Sequence, residues 1–221
     1  LDSDSCAVVL GIQLPGRPGL GGALHPQIAE LTKLQDLVLD DTNVSGSLDV
    51  LANHTKLQWL SLRHTRVTGR LEDLNPKAKR LSRLDLTGTE VTGDLAALAN
   101  TIVLRRLRLA NTAVSGELKS LAQLEKLKEL DLSNTAVSGE LKSLAKMERL
   151  TELNLANLKV VGEVAVMAEW SKIERIDLSG TQVEFYLLQQ FQPFKQWGLS
   201  FEWECPLPPA LRFLDVSRTS R

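Results

Sequence analysis

Cysteine is almost absent from the 221 residues, with only Cys6 and Cys205 present. That scarcity excludes a disulfide-dense scaffold and a four-cysteine zinc site. Histidine is nearly as rare, and His25, His54 and His64 have no HExxH or other paired metal spacing. No apolar run approaches the roughly 20 residues of a membrane helix. Neither sign of charge dominates, since 26 Lys and Arg face 27 Asp and Glu for a net −1, which gives no support to general polyanion binding. No serine lies in GxSxG, and the glycines from Gly11 to Gly22 lack GxGxxG or Walker spacing. The 43% hydrophobic and 24% charged composition still describes a folded chain rather than a disordered one.

What the chain has in abundance is leucine at a fixed period. LRRLRLANTAVSGELKSLAQLEK from Leu104 is followed by LKELDLSNTAVSGELKSLAKMER from Leu127. The shared pattern LxxLxLxxTxVxGxLxxL starts at Leu34, Leu57, Leu81, Leu104, Leu127, Leu150 and Ile173, always 23 residues apart except for 24 between Leu57 and Leu81. An eighth start, Leu211, comes 38 residues after Ile173. Alternation in Leu130-Asp131-Leu132 and its equivalents predicts a short strand with one buried face. The glycine that follows (Gly46, Gly69, Gly93, Gly116, Gly139, Gly162) permits a tight turn or a close backbone approach. Leucines three apart, such as Leu118, Leu121 and Leu124, suit a 3-10 turn, since 23 residues leave no room for a full helix. No unit closes a core alone; stacking makes the core continuous.

These motifs resemble leucine-rich repeats over nearly the whole chain. The Gly-Leu pair after the strand is similar to the plant-like class, and Thr (Thr42, Thr65, Thr89, Thr112, Thr135, Thr181) replaces the usual Asn, as in algal and protist 23-residue repeats. Leu158 interrupts that Thr column. The resemblance implies an α/β solenoid, a right-handed leucine-rich repeat arc with a parallel concave β-sheet and short 3-10 or irregular convex segments. It also implies that the Thr hydroxyls satisfy buried turns, as the Asn side chain does in the family. Residues 1–221 then form one domain: a degenerate coil over 1–33, regular repeats over 34–183, an aromatic-rich insertion over 184–210 and a terminal partial repeat over 211–221. An arc of eight or nine strands at about 4.8 Å each keeps Cys6 and Cys205 too far apart for a bridge. The pattern runs to Thr219 with no recognisable terminal cap, which predicts either a longer chain or a partner over that end.

Function is expected on the columns left free by the leucines. The outward column before the second leucine reads Asp36, Trp59, Arg83, Arg106, Glu129, Glu152, Arg175, Phe213, and the next reads Val38, Ser61, Asp85, Arg108, Asp131, Asn154, Asp177, Asp215. Trp59, Arg63, Arg83, Arg106 and Arg108 form a basic, partly aromatic zone beside an acidic one of Glu129, Asp131 and Glu152, and together they are the candidate concave interaction surface. Residues 56–108 carry 11 basic and 5 acidic side chains, whereas residues 152–204 are acidic on balance. Such a dipole orients a complementary protein, although Arg106 beside Glu129 also reads as a simple cross-strand pair. Seven of the ten aromatics (Phe185, Tyr186, Phe191, Phe194, Trp197, Phe201, Trp203) fall in the insertion, which either packs back on the last coils or docks on another subunit.

Mixed carboxylates on an open sheet lack the closed pocket of a catalyst, and Asp36, Asp40 and Asp41 do not have calcium-loop spacing. No active site, metal or cofactor is expected. The leading expectation is a noncatalytic protein-protein interaction or scaffold module, an accessory subunit of a larger assembly. The alternative is a ligand-recognising ectodomain fragment of a leucine-rich repeat receptor. Partners are one or more proteins, within a multisubunit complex in the first reading; nucleic acid and membrane insertion are not favoured. An intracellular or organellar location is slightly preferred over an extracellular one.

Overall fold

The structure is a computed structural model that describes residues 9–74, 79–184 and 211–217. Each repeat contributes one three-residue strand to a nine-stranded parallel sheet, running in chain order from Gly11–Gln13 to Phe213–Asp215. The leucine inside each strand faces the core: Leu37, Leu60, Leu84, Leu107, Leu130 and Leu153 are all buried. On the opposite side 3-10 turns such as Leu95–Leu98, Leu118–Leu121 and Leu141–Leu144 insert both of their leucines. Each leucine withdrawn from water is worth about 1.5–3 kcal/mol, and the coils share these leucines between neighbours. The result is a right-handed solenoid with one continuous hydrophobic column.

A further layer departs from the sequence expectation. Between a concave strand and the 3-10 turn that follows it the chain forms a further short strand, and these pair into a three-stranded sheet (Gly21–Ala23, Asn43–Ser47, Arg66–Thr68) and a five-stranded one (Thr92–Asp94, Ala113–Glu117, Ala136–Glu140, Lys159–Glu163, Gln182–Glu184). At Gly69, Gly93 and Gly116 the recurrent glycine marks a close approach to the first residue of the preceding coil's 3-10 turn. Gly116, for example, lies inside Ala113–Glu117. Between the two small sheets only the isolated bridge Arg70↔Thr92 remains. That gap falls in the 24-residue unit, and the backbone hydrogen bonds from Glu90 N–H to the Val67 carbonyl and from Thr92 N–H to the Gly69 carbonyl still cross it.

The threonine column satisfies its turns as expected. Thr42, Thr65, Thr89, Thr112, Thr135 and Thr181 each donate a hydroxyl hydrogen bond of 2.6–2.7 Å to the carbonyl three residues earlier. Leu158 fills the same column by burial alone. The residue before each of these positions turns the chain through left-handed backbone: Asp41, His64, Asn111, Asn134 and Asn157 have φ of 54–61°. Asn and Asp tolerate that region best among residues with a side chain. The side chains also bond from coil to coil, Asn134 to Asn111 at 3.0 Å and Asn157 to Asn134 at 2.8 Å.

A second convex core column lies three residues before the first leucine of each repeat and holds His54, Thr101, Leu124, Met147 and Trp170, all buried. Trp170 is fully enclosed and its indole N–H donates to the Leu144 carbonyl at 3.1 Å. His54 places Nε2 3.0 Å from the Ile28 carbonyl. These are structural roles, and they remove His54 from any surface chemistry.

Candidate interaction surface

Strand register fixes the concave columns. Asp36, Trp59, Arg83, Arg106, Glu129, Glu152, Arg175 and Phe213 stand side by side, each paired with the next. Ser61, Asp85, Arg108, Asp131, Asn154, Asp177 and Asp215 form the parallel row beside them. Because each strand is three residues long, its first and last side chains point out while the central leucine points in.

The charges in these rows are not independent. Glu129 accepts from Arg106 at 2.6 Å and from Arg108 at 2.7 Å, and Arg108 lies 3.6 Å from Glu152. The side chain of Glu129 is 19% exposed, which makes it the hub of a partly sheltered network. The cross-strand pairing of Arg106 with Glu129 is therefore real, and the basic and acidic zones meet as a neutralised seam. Arg83 lies over the Trp59 ring, its guanidinium carbon 5.0 Å from the centroid, and Arg175 covers Phe213 in the same way at 5.1 Å. Each cation–π contact removes one ring face from water and orients the guanidinium. The seam is thus bracketed by two aromatic–arginine pairs.

Asp131 has a different task from the one its column suggested. Its Oδ1 accepts from the Ser133 backbone N–H at 3.1 Å and the Ser133 hydroxyl at 2.7 Å, closing the turn at the strand end. Asp85, Asn154, Asp177 and Asp215 accept in the same way from the backbone two residues on. Arg63 leaves the concave row to bond Asp41 at 3.3 Å. Asp41 also receives His64 at 2.8 Å, and this hydrogen bond, aided by the positive charge of Arg63, holds its carboxyl below the ordinary value of 3.8. Asp40 accepts from the Ser61 hydroxyl and the Arg63 backbone. Asp40 and Asp41 are therefore committed to neighbours, and among the described residues no group of three or more His, Cys, Asp or Glu is arranged to hold a metal.

Between Arg108 and Phe213 the sheet carries a concave depression of about 270 Å³, walled by Glu129, Glu152, Arg175 and Phe213 and floored by strand leucines. Phe213 is 42% exposed, and its pairing with Arg175 was not anticipated from the sequence. The signal existed: Phe213 occupies the same outward column as Trp59. The seven insertion aromatics, Phe185 to Trp203, lie outside the described residues, as do Cys6 and Cys205. Among the described residues no helix is long and apolar enough to cross a membrane.

No family model matches the chain, and no curated protein does. Solved structures match its architecture. The leucine-rich repeat ectodomain of the Arabidopsis receptor kinase HAESA, in complex with an IDA peptide hormone, superposes with a TM-score of 0.65 at 24% identity over 74% of this chain and 29% of its own. The plant peptide hormone receptor RGFR1 with RGF2 gives 0.63 at 22% identity, covering 74% and 31%. An internalin C2 from Listeria monocytogenes gives 0.62 at 22% identity, covering 86% of this chain and 74% of its own. The chain thus spans a quarter to a third of the plant receptor chains it resembles. These likenesses, with the nine-stranded sheet and the leucine columns, establish a leucine-rich repeat solenoid fold.

One expectation is corrected at this point. The preference for an intracellular or organellar location is overturned, because the structural neighbours are receptor-kinase ectodomains and Listeria internalins.

Proposed function

We propose that the chain is a ligand-recognising protein-interaction module, a stretch of a leucine-rich repeat ectodomain of the plant-like class in which Thr stands for Asn. The observation that carries this reading is the concave row itself: two arginine-covered aromatics, Trp59 and Phe213, bracket the Arg106–Glu129–Arg108–Glu152 seam on an open parallel sheet. Tryptophan, tyrosine and arginine side chains are enriched among the few residues that dominate interface energetics. A salt-bridged seam rewards a partner that presents paired charges in register and penalises one that strands a buried charge. The depression beside Phe213 is shallow and open, which suits an extended polypeptide better than a small metabolite. The peptide-bound state of neighbours such as HAESA supports the same ligand class. The accessory-subunit reading drew on the insertion aromatics and has no support among the described residues.

The test is selection of peptides from a displayed random library on the full chain, followed by binding to Trp59→Ala, Arg175→Ala and Phe213→Ala variants. Truncation of a buried aromatic anchor should weaken selected binders by about tenfold or more. Binders indifferent to all three variants would place recognition elsewhere and end this proposal.

A further inference from the structure

The turn leading into each concave strand carries a column that the repeat pattern leaves free, one residue before the first leucine. It reads Lys33, Lys56, Arg80, Val103, Lys126, Arg149, Lys172. Six of these seven are cations, spaced one coil apart, so they form a line of roughly 29 Å along one edge of the solenoid. Every cation in the column is exposed. In the fifth and sixth repeats the neighbouring column supplies Glu125 and Glu148, but in the first four it offers Thr32, Thr55, Lys79 and Ile102. The acid-free stretch opens into a groove of about 500 Å³ containing Lys79, Arg80, Arg83, Arg105 and Lys126 with no carboxylate in its lining. Among the described residues none of these five joins an ion pair, in contrast to Arg63, Arg70, Arg106 and Arg108.

Like charges held this close raise the free energy of the unliganded surface, and an anion relieves it. Three classes of polyanion present themselves, and the groove distinguishes them. It contains no aromatic ring on which a base could stack, which disfavours nucleic acid. At its centre the cation column is broken by Val103, and the adjoining Ile102 is 54% exposed. A sulfated glycan has nothing apolar to place there. A protein segment with carboxylates on either side of an aliphatic side chain satisfies both features. Arg80 and Lys126 are two coils apart, about 9.6 Å, which an extended peptide covers in about three residues. We infer that this edge groove is a docking site for an acidic polypeptide segment carrying an aliphatic residue between its carboxylates, separate from the depression beside Phe213 and meeting the concave row at Arg83.

Calorimetric titration of the full chain at low ionic strength tests the assignment. The probe is the capped pentapeptide Glu-Glu-Leu-Glu-Glu, compared with its Ser-centred counterpart, a heparin octasaccharide and an oligothymidylate. The Leu peptide should bind about fivefold more tightly than the Ser peptide and more tightly than either other polyanion. The double reversal Arg80→Glu with Lys126→Glu should weaken it by about tenfold or more, while Phe213→Ala, on the concave face and outside the groove lining, leaves it unchanged. Circular dichroism checks folding of the reversal, and Arg80→Gln with Lys126→Gln replaces it if the signal changes. Absence of peptide binding, equal binding of the two peptides, tighter binding of heparin or oligothymidylate, or indifference to the double variant each overturns the inference. Loss of peptide binding in Phe213→Ala alone would overturn it too, by moving the peptide to the concave face while leaving the proposed function standing.

Discussion

Two glycines in the same repeat position allow backbone strain and coil-to-coil crowding to be separated. Gly93 has φ of +109° and Gly162 has φ of +114°, both well beyond the left-handed helical well, so alanine at either is conformationally strained. Strain of this kind costs about 1–3 kcal/mol, and alanine's smaller unfolded-state entropy returns about 0.4–1 kcal/mol. The surroundings differ. A Cβ on Gly93 would meet the Leu71 backbone nitrogen at 2.8 Å, whereas on Gly162 the nearest atom is the Leu141 nitrogen at an ordinary 3.6 Å. Leu71 belongs to the preceding coil's 3-10 turn and cannot swing aside as a flexible side chain would. Gly162→Ala should therefore cost about 1–2 kcal/mol from strain alone. Gly93→Ala should add about 1–3 kcal/mol of overpacking, for a total near 3 kcal/mol. Urea denaturation followed by circular dichroism measures both, provided the slope is unchanged. Equal losses at the two sites would show that the neighbouring coil yields freely, and the close-approach explanation for this glycine column would be wrong. Two neutral substitutions would remove the strain argument as well.

Other perturbations probe the remaining columns. Thr112→Val keeps shape but deletes the hydroxyl bonded to Leu109, and chemical denaturation should report a loss of about 1–2 kcal/mol; no loss would mean that the hydroxyls contribute nothing beyond their methyls. Trp170→Phe removes the indole donor to Leu144 and part of the volume of an enclosed ring, so a drop of about 2–3 kcal/mol is expected, and a variant as stable as the parent would contradict the burial. For Asp41 the carboxyl is depressed in the folded state by His64 and Arg63, so its contribution is complete above the ordinary value of 3.8 and disappears as pH falls through the lower folded value. Asp41→Asn should make stability less dependent on pH across that acid window, with a small effect because the pair is solvent-screened; parallel pH profiles for parent and variant would refute the linkage.

The period revealed the fold because a leucine column is a property of residue type: any aliphatic at those positions faces inward, and the same register places Trp59, Arg83 and Phe213 in one outward row. The second sheet was harder to read. Its strands Ala113–Glu117 and Ala136–Glu140 share the sequence AVSGE, and a glycine beside serine looks like a turn unless the close approach of the preceding coil is known. The convex column at His54, Thr101, Met147 and Trp170 was missed because its residue types differ, although its spacing is perfect. The left-handed column was accessible: Asp41, His64, Asn111, Asn134 and Asn157, with Gly88 and Gly180, all precede the Thr position or its Leu158 equivalent, and each suits positive φ.

Side-chain commitment is where sequence columns stop being sufficient. The sequence columns offered Arg106 as a cross-strand partner of Glu129 but gave no partner for Arg108, because columns record position and not pairing, yet both turn toward Glu129, two bonds converging on one carboxylate. Removing that carboxylate therefore has a definite consequence. Glu129→Gln leaves Arg106 and Arg108, the two ends of one strand, without their shared carboxylate, with Arg108 retaining only its longer contact to Glu152 at 3.6 Å. The local cluster of Arg106, Arg108 and Glu152 becomes net basic, and an acidic ligand that the parent's concave face ignores should associate faster with the variant, with a rate that falls steeply as salt is added. Stopped-flow association of the capped Glu-Glu-Leu-Glu-Glu peptide, in a background of Arg80→Glu and Lys126→Glu to silence the edge groove, measures this directly. A rate unaffected by Glu129→Gln would mean that the two arginines are not held in check by that carboxylate, and the neutralised seam would lose its role as the filter on what the sheet accepts.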